Sequence, residues 1–169
     1  MSVLNIKIYG DKILREKAEE VKRINKEINL LIEDMVSTMY LSKGVGLAAN
    51  QVGVLKRIIV IDVTGGKSGG KDLITLVNPV ITEKEGLMED DEGCLSLPGI
   101  TANIKRFARV TAAGLDVKGN PVKIIASDLL SRALQHEIDH LDGILFVDRL
   151  SFTQKILLQK KLKELKKHK

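Results

Sequence analysis

The sequence predicts an α+β domain in which a helix carrying two histidines packs against antiparallel strands. Helical periodicity is confined to residues 26–42, 128–142 and the end of the chain. The segments between read as strands joined by short glycine-rich turns. These strands follow one another directly, without the helix after each strand that a parallel sheet needs. At 169 residues the chain is long enough for one hydrophobic core without covalent staples.

Each element has its own justification. Residues 26–42 place Ile28, Leu31, Ile32, Met35, Val36 and Met39 at helical spacing with a polar opposite face. Gly44 is expected to close that helix as the left-handed residue beyond its C-cap. Residues 44–53 form a glycine-punctuated apolar loop, and residues 57–63, rich in Ile and Val, read as a buried strand. The stretch 64–72, with four glycines, is a turn or hairpin connection. Strands are expected again at 73–78, 80–84, 109–116 and 121–126, the last two joined by the hairpin signal Gly119-Asn120. Ser127 is placed to cap the next helix, with Asp128 in its first turn. That helix ends at Asp142-Gly143. Its stripe of Leu129, Ala133, His136 and His140 puts the histidines on the core-facing side. A short strand at 144–147 and a helix from about residue 152 complete the chain.

Composition narrows the classes of function. Hydrophobic content of 44% and charged content of 29% are those of an ordinary globular protein. The single cysteine excludes an intrachain disulfide and fits a reducing compartment, where a lone thiol serves as ligand or nucleophile. No apolar run approaches the ~18 residues of a membrane span, and the first residues lack the layout of a signal peptide. Cytoplasm is the expected location, with no membrane partner. The net charge of +5 is uneven. Residues 155–169 carry seven lysines, Lys169 among them, against one acid, Glu164, leaving twenty basic and twenty-one acidic residues elsewhere.

The chemistry-bearing residues cluster in three places. His136-Glu137-Ile138-Asp139-His140 is an HExxH run: on a helix the two imidazoles project from one face, offset by about 40°, and Glu137 points to the rim. That arrangement offers two metal ligands and a general base; the bland alternative is a pair of satisfied core histidines. Cys94 is a candidate third ligand, or else a small buried hydrophobe. Asp90, Asp91, Glu92 and Gly93 precede it, so the segment reads as polar and glycine-bent rather than as a core strand. Those carboxylates would raise the thiol pKa, and a divalent metal would offset them and hold the sulfur deprotonated. Gly93 would free the Leu95 N–H to face the site. The loop 44–53 lacks the Lys-Ser/Thr of a phosphate-binding loop. Gln51 within it offers a neutral amide donor suited to a developing oxyanion, or simply faces water from a turn. A thiolate with two imidazoles accommodates Zn²⁺, Fe²⁺, Ni²⁺ or Co²⁺. An HExxH peptidase and a nucleic-acid-binding protein with a structural metal are the rival functions. The latter fits the lysine-rich end, but a structural site usually has four protein ligands.

Taken together, three segments resemble the signature motifs of the peptide deformylase family in order and spacing. They are Gly44-Val45-Gly46-Leu47-Ala48-Ala49-Asn50-Gln51, Glu92-Gly93-Cys94-Leu95-Ser96 and Gln135-His136-Glu137-Ile138-Asp139-His140-Leu141. The resemblance covers nearly the whole chain. It implies removal of formyl groups from N-formylmethionyl nascent peptides by a catalytic domain over residues 1–150, with residues 151–169 a basic helix of the same domain. It also implies that Cys94, His136 and His140 bind one metal, commonly Fe²⁺, with water in the fourth position. Glu137 would be the general base and then acid, Gln51 and the Leu95 N–H would meet the oxyanion, and Val45, Gly46 and Arg106 would hold substrate. The lysine-rich end is expected either to pack on the body or to contact ribosomal RNA, and the protein to be a monomer. Three departures stand out: Asn50 where proline or threonine is common, Lys43 where many members carry an acid, and Asp128 and Ser131 where glycine and alanine are usual. The first is expected to be harmless.

Overall fold

The computed structural model describes residues 2–167; Lys169 and the outermost ends of the two expected segments lie outside the described residues. Asn25 begins the first helix, α1 (Lys26–Leu41), by accepting the Ile28 N–H at 3.0 Å. Strands β1 (Gly46–Ala48), β2 (Ile58–Ile61), β3 (Ile74–Glu85), β6 (Arg109–Leu115) and β7 (Pro121–Ser127) form a five-stranded antiparallel sheet in the order β1-β2-β3-β6-β7. Between β3 and β6 the chain makes a separate hairpin of β4 (Met88–Gly93) and β5 (Thr101–Arg106). Helices α2 (Asp128–Leu141) and α3 (Phe152–Lys167) follow.

The α+β reading holds, and β2 shows why its sequence is apolar throughout. Both faces of the sheet are covered, so its residues are buried in alternation on opposite sides. Ile59 and Ile61 pack with Ala133, Leu134, Ile138 and Leu141 of α2. Ile58 and Val60 pack with Ile32, Met35 and Met39 of α1. A third cluster joins Leu14, Ile104 and Phe146 to Leu158, Leu162 and Leu165 of α3. The leucine stripe of the lysine-rich end therefore packs on the body.

Several local expectations are corrected. Helix α1 ends in a Schellman motif whose left-handed residue is Lys43 (φ 56°), not Gly44: Lys43 N–H donates to Tyr40 O at 3.0 Å and Gly44 N–H to Met39 O at 2.9 Å. A Cβ on Gly44 would lie 2.7 Å from Leu95 Cδ1, so that side chain would have to turn aside. The loop 44–53 contains β1 and a 3₁₀ turn, Ala49–Val52. The expected strands at 73–78 and 80–84 are one strand, β3. Its register shifts at Asn78 (φ 53°) and Pro79, where proline's missing N–H disrupts no regular ladder. Asn78 turns that irregularity to use by accepting Val21 N–H and donating to Val21 O. Residues 88–93 do form a strand despite their acids, because β5 supplies complementary partners such as Lys105 opposite Glu89. Ser127 sits at the N-cap of α2 but makes no side-chain cap bond, and Asp128 is left-handed (φ 53°). Residues 146–149 form a 3₁₀ turn, not a strand. Leu129, on the stripe expected to face the core, is 51% exposed and opens onto a cleft.

Candidate active site

Three elements deliver the site. Helix α2 presents His136, Glu137 and His140; the end of β4 hands the chain to Cys94; β1 and its 3₁₀ turn carry Gly46 and Gln51. Ligand atoms of Cys94, His136 and His140 lie within 4.8 Å of one another. Nε2 of His140 stands 3.2 Å from Cys94 Sγ and 3.2 Å from His136 Nε2. Three donor atoms this close, one sulfur and two imidazole nitrogens, suit a divalent transition ion. The tautomer agrees. His136 Nδ1 lies 3.2 Å from Glu92 Oε2, so its hydrogen belongs on that side and Nε2 keeps a lone pair for the metal. Burial pushes the His140 ring well below the ordinary histidine value, leaving it neutral.

Gln51 does not face water: it is 1% exposed. Its Oε1 accepts the Ala48 N–H at 2.8 Å, and this fixes the sense of the amide. Its Nε2 hydrogens are thereby aimed at the site, 3.1 Å from Ser96 Oγ and 3.4 Å from Cys94 Sγ. The Leu95 N–H, among the described residues, donates to no other group of the chain. Glu137 is 4% exposed, and its Oε2 is buried without a partner among the described residues. Burial pushes its carboxyl up to about 7, against the pull of Arg106. Gly46 exists for this carboxylate, since a Cβ there would lie 2.9 Å from Glu137 Cδ.

These groups open onto a cleft of about 520 Å³. Val45, Gly46, Gly93, Leu95, Leu129 and Ala133 are among the residues that line it. Arg106, expected to hold substrate, does not line this cleft. It is 3% exposed and ion-paired with Glu92, and its Nη1 reaches Asp139 Oδ2 at 2.8 Å. Its partner Glu92, expected only to lend negative charge beside the thiol, in turn faces His136 and joins Arg106 to it. Burial pushes the Glu92 carboxyl up, but bonds to His136 and Arg106 outweigh that and hold it down to about 2. Arg132 adds a bond from Nη2 to Glu92 Oε1 at 3.0 Å. Only its place beside the lone cysteine signalled this residue in the sequence.

A cysteine sulfur, two imidazoles and a buried carboxyl group beside an open cleft are the parts of a metallohydrolase. Residues 3–155 match the family model described as polypeptide deformylase. Peptide deformylase of Thermodesulfovibrio yellowstonii is 52% identical over 163 residues, covering 96% of this chain and 98% of that protein. The peptide deformylase of Endomicrobium trichonymphae is 47% identical, covering 99% and 98%. Among solved structures, a peptide deformylase from Legionella pneumophila superposes with a TM-score of 0.91 at 42% identity, covering 98% of this chain and 96% of that one. Another, from Synechococcus elongatus in complex with actinonin, gives 0.88 at 40% identity, covering 94% and 87%. The chain belongs to the polypeptide deformylase family. It is a metal-dependent hydrolase that removes the formyl group from the N-terminus of newly synthesised polypeptides.

Proposed function

We propose that Cys94, His136 and His140 hold the metal, that Glu137 shuttles the proton, and that Gln51 and the Leu95 N–H stabilise the oxyanion. The observation that carries this reading is the convergence of three ligand atoms within 4.8 Å beside a buried carboxyl oxygen without a partner. When bound, the metal supplies Lewis acidity, lowering the pKa of water toward neutrality and polarising a carbonyl. Glu137 accepts a proton as water attacks the formyl carbon. It returns that proton to the amine nitrogen as the carbon–nitrogen bond breaks, and formate leaves with a free N-terminus. Gln51 Nε2 and the Leu95 N–H meet the charge that gathers on the formyl oxygen, each such donor contributing on the order of 10²–10³ in rate. Val45 precedes and Gly46 opens β1, an edge strand to which an extended peptide can add. Glu137→Ala is expected to keep its metal and lose activity on a formyl-Met peptide by about 10²–10⁴. Metal analysis alongside the assay tests this, and an active variant would sink the assignment.

Fe²⁺ is the proposed ion, with Zn²⁺, Ni²⁺ and Co²⁺ as substitutes the same donors accept. Metal analysis of protein purified without oxygen, with activity after exchange, decides among them. The proposed setting is the cytoplasm; no helix among the described residues is long and apolar enough to cross a membrane. A monomer is proposed, with residues 1–150 carrying catalysis and 151–169 reaching the ribosome through exposed lysines of α3.

A further inference from the structure

The asparagine before Gln51 turns out to be a structural participant. Asn50 is 0% exposed, and its Nδ2 donates to the backbone carbonyl of His140. That bond fixes the sense of the amide, because the reverse setting would press Oδ1 against a carbonyl oxygen. Oδ1 is thus an acceptor, buried and without a partner among the described residues. The ring of His140 shows the complementary condition. A ring that ligates through Nε2 carries its hydrogen on Nδ1, and this Nδ1, in a side chain 1% exposed, is also buried without a partner among the described residues. A buried donor or acceptor left open costs about 1–3 kcal/mol. The other histidine ligand meets the same need with Glu92, 3.2 Å from its Nδ1; His140 has no such carboxylate.

We propose that Asn50 is the positioning residue for His140, its Oδ1 joined to the His140 Nδ1–H through one ordered water. Buried waters of this kind link polar groups that cannot reach each other directly. Asn50 already grips the His140 backbone, so the same side chain would fix both the carbonyl and the ring of one ligand. A carboxamide orients the imidazole and fixes its tautomer without adding negative charge. The centre therefore has one anionic outer partner, Glu92, and one neutral one, Asn50. This inference rests on His140 being a metal ligand.

The test uses the full chain loaded with Zn²⁺ or Co²⁺, comparing wild type with Asn50→Leu and Asn50→Thr. Chelator competition reads metal affinity, Co²⁺ absorption reads ligand geometry, and NMR of the Zn²⁺ form reads exchange of the His140 Nδ1–H. Asn50→Leu is expected to weaken metal retention ten- to a hundredfold, shift the Co²⁺ bands and speed Nδ1–H exchange; Asn50→Thr, which keeps a hydroxyl, should recover part of each. Lower thermal stability in Asn50→Leu with all three metal readouts unchanged would overturn the proposal and leave Asn50 a packing residue. Should Asn50→Leu fail to fold, a high-resolution structure of the metal-loaded wild type decides. A water bonded to both Oδ1 and Nδ1 supports the link, and a dry gap or a different Nδ1 partner refutes it. Failure of the wild type itself to bind Zn²⁺ or Co²⁺ would instead overturn the metal-centre reading.

Discussion

Gly46 and Glu137 are coupled by volume alone. Any side chain at 46 would be built into the Glu137 carboxyl group, 2.9 Å from its carbon. Gly46→Ala is therefore expected to displace Glu137 and to lower kcat by about 10² or more, while Cys94, His136 and His140 keep their metal. Steady-state kinetics with metal analysis separates this from a general loss of folding. Equal activity in Gly46→Ala would mean that the carboxylate works from another position. The same scale explains Arg106. The family resemblance placed it beside substrate; here each of its guanidinium nitrogens donates to Glu92 or Asp139.

Helix α1 and strand β2 each end on a device that stability measurements can reach. Lys43 holds a left-handed conformation (φ 56°) that costs a non-glycine residue about 1–2 kcal/mol. Lys43→Gly should raise stability by roughly 1 kcal/mol, a rise of about 2–4 °C in Tm for a chain of this size; thermal unfolding checks it. Just after β2, Asp62 accepts the Tyr40 hydroxyl at 2.7 Å and the Thr64 hydroxyl at 2.6 Å. Burial pushes its carboxyl up, but hydrogen bonds from Thr64, Tyr40 and Gly66 outweigh that and hold it below its ordinary value of 3.8. A depressed folded pKa gives stability that is present above the unfolded value and lost as pH falls through the folded one. Asp62→Ala should cost about 1–3 kcal/mol at pH 7. The gap to wild type should narrow below about pH 4, as urea unfolding across that range would show. A gap that stays constant with pH would mean the ionised carboxylate is not what matters.

At the scale of the whole molecule, α3 packs one face on the body and exposes its lysines on the other. Its leucines pack in the cluster that holds Phe146, and the Phe146 ring lies 6.2 Å from the His136 ring with planes 27° apart. Removing residues 155–169 would therefore disturb the support of the metal centre, not the tail alone. Substituting exposed lysines is the cleaner test. Changing Lys160, Lys161, Lys163 and Lys167 to Gln is expected to leave turnover of short formyl-peptides within about twofold. If each lysine meets a phosphate, ribosome affinity should fall and its log–log salt slope should flatten by roughly 3. Unchanged ribosome affinity would remove the lysines from any such contact.

The sequence by itself determined the α+β class, the helix with its two histidines, the lone cysteine as a ligand candidate and Gln51 as a donor. Those are signals carried by residue type, spacing and period, and local propensity expresses them directly. The hairpin of β4 and β5 was not legible, because Met88–Gly93 is acidic and becomes a strand only when β5 pairs with it. Nor was the left-handed role of Lys43, since the glycine next to it is the residue that ordinarily takes that conformation. Only the tertiary structure decided that Arg106 pairs with Glu92 and Asp139, that Glu92 meets His136 and that Asn50 meets His140. These are contacts between residues 14, 33, 44 and 90 positions apart. Which buried polar groups face one another depends on how helix, sheet and hairpin pack, and no local pattern encodes it.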